Sequence, residues 1–185
     1  PAMKEILVLI LPVVIGVGVS QVSAIIDKSL ASTLGTNVVA SFSYATKLYE
    51  FVQALFITSI LSVVYPKMSK LLVGDNIDAF KVSLRKTINI IVLLLVPIAI
   101  GASILAVPIV KVLLQRGQFT YDDTIMTANI LKFYTIGIIA FAVRDVMTRG
   151  FYSLHDSKTP MVNGIVSIVF NIVLNLILIR FLGYK

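Results

Sequence analysis

Few residues in this 185-residue chain are equipped for chemistry, and the most informative of them interrupt long apolar runs. Lys47 and Glu50 stand three apart inside an otherwise uncharged stretch, a spacing that places them on one face of a helix. An ionisable side chain at the centre of a membrane helix costs roughly 2.5–3.5 kcal/mol, so it is retained for a reason. Two reasons compete. The pair can neutralise itself and fix helix packing, or Lys47 can face a hydrated cavity and contact an anionic substrate. A single cation on an apolar wall suits a phosphate, because a dry surrounding strengthens its field.

Asp27 closes the first apolar run and offers a carboxylate. Its ordinary role is that of an interfacial, solvated acid; the alternative is a Na⁺ or H⁺ site completed by neutral oxygen ligands. Asn171 and Asn175, four apart in the last apolar run, lie one above the other on a helix face and supply such oxygens, as Asn163 and Ser167 do one or two turns earlier. Buried Asn in lipid more commonly bonds a neighbouring helix. Arg144 and Asp145 read as interfacial, and Arg149, one turn on, reads as interfacial or as a cytoplasmic phosphate contact. Ser20, Gln21 and Ser23 suit either a polar path or hydrogen bonds between helices.

Catalytic templates fail. There is no glycine-rich nucleotide loop, no paired-histidine motif, no intramembrane acidic cluster, and no cysteine. The lone His155 falls in a polar gap beside Asp156 and Lys158 and reads as a solvated loop residue. The chain is therefore read as a non-enzyme that needs no cofactor.

The elements that carry these residues are dictated by composition. Only 14% of the residues are charged, against about 25% in a typical soluble protein. With 58% hydrophobic residues and a mean hydropathy of +0.98, too little polar surface exists to wrap a water-soluble globule, so lipid is the solvent. The fold class is all-α integral membrane, with about five transmembrane helices near 6–32, 38–66, 82–114, 122–154 and 159–182 in a single bundle. Pro66 and Lys67 are expected to close the second helix, and Pro97, Gly101 and Pro108 to kink or shorten the third. Gly35, Thr36 and Asn37 read as a short turn, as do Arg116 to Thr120. Asp122 and Asp123 suit the start of the fourth helix, where its dipole is positive. Lys132 or Arg144 must snorkel or face protein, because the charge-free core between them is too short to span. Pro160 suits the first turn of the fifth helix.

The net charge of +7 sits in the gaps between apolar runs, as in membrane proteins, which argues against nucleic acid as a partner. Counting Lys and Arg in the loops with a cytoplasmic N-terminus gives eight inside and five outside, concentrated in Lys67, Lys70, Lys81, Arg85 and Lys86. That bias places the N-terminus of the chain in the cytoplasm. An odd helix count leaves the last helix without a hairpin partner, as expected of a piece of a longer protein.

Several stretches resemble one family. Leu114-Gln115-Arg116-Gly117-Gln118-Phe119-Thr120, Arg149-Gly150-Phe151-Tyr152-Ser153-Leu154-His155-Asp156-Ser157-Lys158-Thr159-Pro160, Asp27-Lys28-Ser29-Leu30-Ala31-Ser32, Tyr44-Ala45-Thr46-Lys47-Leu48-Tyr49-Glu50 and Tyr65-Pro66-Lys67-Met68-Ser69 are together similar to the MurJ/MviN lipid II flippases of the multidrug/oligosaccharidyl-lipid/polysaccharide exporter superfamily. By order they resemble the seventh to eleventh of fourteen helices, part of the second of two lobes. The resemblance implies transport of undecaprenyl-pyrophosphate-linked peptidoglycan precursor (lipid II) across the bacterial inner membrane by alternating access, with cation or membrane-potential coupling. It implies a cationic central cavity, to which Lys47 corresponds by position; with Glu50 and Arg149, taken from the reading of the residues themselves, it makes up the substrate-binding candidates. It also implies a sodium site in some members, with Asp27, Asn171 and Asn175 as the cation-binding candidates. Lys47 falls where the family usually has Arg, which keeps the charge but loses the bidentate fork, and Thr46 falls where it often has Asp, which leaves Glu50 as the nearest counter-charge. The partners implied are lipid II, membrane lipid and the remaining helices of the parent protein. Within the superfamily the rival functions are a drug/cation antiporter or another polysaccharide-lipid flippase. From another class, the rival is a non-transporting scaffold for envelope assembly, which requires Lys47 and Glu50 to seal each other in a dry interface.

Overall fold

The computed structural model describes residues 35–73 and 76–182 and, before them, positions 10, 14, 16, 18, 21, 22, 24–29 and 32; the side chains at 36, 73, 176 and 178–182 lie outside that description. Of the first expected span only these scattered positions are described, and each is helical. Pro12, Ser20, Ser23, Leu30 and Ala31 lie outside the described residues. The chain divides into two compact units, one formed by 35–153 and the other by 1–34 with 154–185.

In the 35–153 unit, α1 (Thr36–Val52) runs through a π-helical segment (Gln53–Thr58) into α2 (Ser59–Val73). Then come α3 (Ile77–Ile104), the short α4 (Ala106–Leu114) and the long α5 (Tyr121–Ser153). The other unit holds α6 (Lys158–Leu182) and the helical positions between 10 and 32. Among the described residues three helices are long and apolar enough to cross a membrane: Asn37–Leu72, Ile77–Ile104 and Tyr121–Ser153. The chain is an all-α membrane protein.

The distribution of side chains explains why lipid is the solvent. The large apolar residues Leu93, Val112, Phe133 and Ile136 are 75–81% exposed. The buried stripe of α5 is made largely of small or hydroxylated residues, Thr124, Thr127, Ala128, Thr135, Ala142, Gly150 and Ser153 among them. Membrane helices lack a hydrophobic drive toward one another, so small residues that permit close backbone approach dominate their contacts. Along this stripe, Ile138, Ala142 and Val146 meet Ile57 and Leu61 from the π segment and α2, and Ile91, Leu95 and Ala99 from α3. Farther toward the start of α5, Ala128 and Leu131 meet Ala45 of α1 and Ala106 and Val110 of α4.

Three helix ends differ from the sequence expectation. The third helix starts at Ile77 and not near 82, because Asn76 caps it, its Oδ1 accepting from the Ala79 N–H at 3.0 Å. Pro66 does not close a helix; it lies inside α2, which continues to Val73. Proline removes one backbone donor, but Leu61 and Met68 on either side are 2% and 1% exposed, and their packing holds the helix through the gap. Nor does the expected turn extend to Asn37: α1 begins at Thr36, and Gly35, at φ 124, makes the reversal that a Cβ would oppose. The third helix does break, at Leu105. Pro108 has no N–H for the Ile104 carbonyl and its ring crowds that group, so the chain turns at Leu105, whose N–H bonds Gly101 O at 2.9 Å, and restarts as α4.

Candidate functional site

Each unit carries its own cluster of functional candidates. In the unit containing α6, Asn175 Nδ2 donates to Asp27 Oδ1 at 3.0 Å and to Asn171 Oδ1 at 3.1 Å. The four-residue spacing of the two asparagines stacks them on α6, and the carboxylate closes the triangle; all three residues are half-buried. The donor set is one carboxylate and two amide oxygens, which fits a hard cation. In the present arrangement the Asn175 amide nitrogen faces both oxygens, so an ion would enter with that amide rotated. Asn163 and Ser167 do not join the cluster: both are exposed, and the Ser167 hydroxyl bonds the Asn163 carbonyl at 2.7 Å. Among the described residues no group of three His, Cys, Asp or Glu side chains gathers.

In the 35–153 unit, Lys47 and Glu50 occupy exposed positions of α1 and form no ion pair with each other. Lys47 Nζ stands 5.9 Å from the centre of the Tyr44 ring. A neighbouring side of α1 meets α5 through a polar and aromatic seam. The Thr46 hydroxyl and the Tyr134 hydroxyl are 3.1 Å apart, Tyr49 stacks on Tyr134 at 5.2 Å, and Tyr49 meets Phe141 edge-on at 5.7 Å. One turn on, Gln53 Nε2 donates to Asp145 Oδ2 at 2.9 Å. The other oxygen of Asp145 accepts from Arg144 Nη2 at 3.0 Å, and the Arg144 guanidinium lies 5.2 Å from the Phe141 ring centre. Arg144 thus satisfies its charge at an exposed position, while Lys132 is half-buried.

Arg149 is placed elsewhere. Its guanidinium lies 6.0 Å from the Tyr65 ring, eighteen residues along from Lys47, which is roughly 27 Å of helix at the standard rise. Lys47 with Glu50 and Arg149 therefore mark two levels of the same helix pair. His155 is exposed in the turn before α6, with a left-handed φ of 58.

Sequence reasoning missed the Gln53–Asp145 contact and the π-helical segment that starts at Gln53. A signal for the contact existed: Thr46, Tyr49 and Gln53 recur at helical spacing, so a polar face beside the Lys47 face was readable. The π segment had no comparable signature. π turns are rare and concentrate at functional sites, and this one begins at the residue that ties α1 to α5.

A family model described as lipid II flippase MurJ matches residues 1–185. The chain is 35% identical over 184 residues to a probable lipid II flippase MurJ of Vibrio cholerae, which covers all of this chain and 35% of that protein. It is 34% identical over 179 residues to the probable lipid II flippase MurJ of Haemophilus influenzae, covering 94% of this chain and 35% of that one. Against the lipid II flippase MurJ of Burkholderia cenocepacia the identity is 28% over 184 residues, covering all of this chain and 36% of the relative. The chain spans about a third of the length of the curated relatives it matches.

Proposed function

This chain belongs to the lipid II flippase MurJ family, and from that premise we propose that it forms part of a transporter moving lipid-linked peptidoglycan precursor across the bacterial inner membrane. The observation that carries the reading is the state of Lys47. It sits inside a membrane-length helix, exposed and with no carboxylate within ion-pair distance among the described residues. A cation held in that setting is available for the pyrophosphate of the substrate, with its field little screened.

Glu50, one turn away, lowers the charge near Lys47 and favours release over permanent capture. Arg149, at the other level of the helix pair, meets the headgroup on the cytoplasmic side, taking the orientation set by the loop charges. Transport proceeds by alternating access between lobes of the parent protein. Asp27, Asn171 and Asn175 hold the coupling cation, Na⁺ being the hard ion that their oxygens suit. When bound, such an ion supplies positive charge between the two helices and so couples their approach to the ion gradient. No bond is made or broken in the cycle, and the chain works as a transporter rather than an enzyme. The scaffold alternative requires a sealed Lys47–Glu50 pair, and the geometry lacks one.

The experiment is complementation of a flippase-depleted strain by the full-length parent protein. Lys47→Ala is expected to abolish rescue at normal expression. Full rescue by that variant would remove Lys47 from the mechanism.

A further inference from the structure

A second feature of the 35–153 unit lies beside Lys47 and is used by nothing described above. A cavity of about 490 Å³ opens between the start of α1, the end of α4 and the turn that leads into α5. That volume falls within the roughly 300–1,000 Å³ typical of small-molecule sites. Its walls differ from those of a lipid groove. Tyr44 and Phe119 meet edge-on at 5.4 Å and present an amphipathic aromatic corner. Asn37 and Gln118 add side-chain amides at exposed positions, and neither amide has a hydrogen-bond partner among the described residues. Each carries both donor and acceptor capacity.

The charges in the cavity argue about the ligand. Arg116 and Asp123 cancel formally, and each is tethered within the turn, Arg116 by one of its five donors. Arg116 Nη2 donates to the Leu113 carbonyl at 2.8 Å, and Asp123 Oδ2 accepts from the Thr120 N–H at 2.9 Å and its hydroxyl at 2.8 Å. A site for phosphate would carry surplus positive charge and exclude a carboxylate, whereas Asp123 offsets Arg116 in this lining. This one leaves neutral amides uncommitted against an aromatic corner. Such a lining fits a molecule with hydroxyl groups on its edge and C–H groups on its face, which is the chemistry of a sugar.

Its position completes the argument. Tyr44 is shared: it lines the cavity, and Lys47 Nζ stands 5.9 Å from its ring centre. We infer that the cavity is a glycan subsite, receiving a neutral sugar of the transported headgroup while Lys47 holds the adjoining pyrophosphate. The inference rests on the flippase reading for the identity of the headgroup, but the subsite has its own readout.

The test titrates the full-length protein in detergent with the soluble neutral disaccharide N,N′-diacetylchitobiose, followed by saturation-transfer NMR. Binding is expected, weakened about fivefold by Gln118→Ala through the loss of one hydrogen bond, and by more in Ala40→Phe, which fills the cavity from an exposed wall position. Inorganic pyrophosphate binding is expected to weaken in Lys47→Ala and to be unchanged in Ala40→Phe, which separates failure of the subsite from failure of the flippase reading. The lipid-linked precursor is expected to displace the disaccharide. Absence of binding, binding indifferent to Ala40→Phe, or a disaccharide that the precursor does not displace would each overturn the assignment.

Discussion

Gln53 Nε2 and Asp145 Oδ2 lie 2.9 Å apart, and the contact falls at the first residue of the π-helical segment that links α1 to α2. A hydrogen bond to a carboxylate contributes more than a neutral one, and Asp145 keeps 24% of its side chain exposed, which moderates the effect. The expected coupling between Gln53→Ala and Asp145→Ala in a double-mutant cycle is about 1–2 kcal/mol. Denaturant midpoints of the full-length protein in detergent measure it. Simple additivity of the two losses would show that the contact does not hold α1 against α5.

The Asp27–Asn171–Asn175 cluster, proposed to hold Na⁺, makes a prediction independent of transport. Sodium at ten times its dissociation constant stabilises a binding protein by about 1.4 kcal/mol, so the unfolding temperature should rise as choline is replaced by Na⁺ at constant ionic strength. The rise should vanish in Asp27→Ala and shrink in Asn175→Leu, since Asn175 bonds both other members of the cluster. A shift that persists undiminished in Asp27→Ala would remove these residues from ion binding.

At position 47 the charge and its shape can be separated. Lys47→Arg restores the bidentate fork and is expected to support growth in the complementation assay at least as well as the parent, whereas Lys47→Gln, which keeps length and loses charge, is not. Equal rescue by Arg and Gln would mean that the position is read for its bulk.

How legible all this was in the sequence follows from what each feature depends on. The membrane class follows from composition, because a chain with so few charges has no other way to satisfy its surface. The Asp27–Asn171–Asn175 cluster was partly legible: the four-residue spacing aligns the asparagines, but that Asp27 reaches Asn175 across 148 positions is a tertiary fact. Pro66 misled because propensity rules describe an isolated helix, and here buried Met68 holds the next turn in place. The wide separation of Arg149 from Lys47 depends on the uninterrupted run from α1 through α2, which the expected stop at Pro66 concealed.

Asp156 yields a pH prediction. Its carboxylate accepts from the Thr159 hydroxyl at 2.6 Å and from the N–H groups of Thr159 and Lys158, each at 3.0 Å, which caps the first turn of α6. The Thr159 hydroxyl and N–H lead in holding the charged form, with lesser help from the Lys158 N–H and its charge, so the acid lies below the usual carboxylate range. A folded-state pKa below the unfolded one gives stability that is complete above the unfolded value, near 3.9, and is lost as pH falls through the folded value. The stability gap between the parent and Asp156→Ala should be constant from neutral pH down to about 5 and close below that range. A gap that stays the same well below the ordinary carboxylate pKa would show that the residue acts by shape alone.

Gly150 tests the close packing of α5. A Cβ placed there would stand 3.2 Å from Leu84 Cδ1 and 3.9 Å from Phe80 Cζ, both on α3. The nearest atom is the end of a flexible side chain, so Gly150→Ala is expected to be nearly neutral, the small crowding offset by the roughly 1 kcal/mol of helix propensity that alanine regains over glycine. Gly150→Val adds two further carbons against the same wall and should destabilise by about 1–3 kcal/mol, the usual range for overpacking. If the wall is what objects, Leu84→Ala should recover most of that loss in the double mutant, although it is costly alone. Measured by thermal unfolding in detergent, a Val substitution equally harmful with and without Leu84 would place the conflict elsewhere and remove the Gly150–Leu84 contact as the feature that sets the α3–α5 approach.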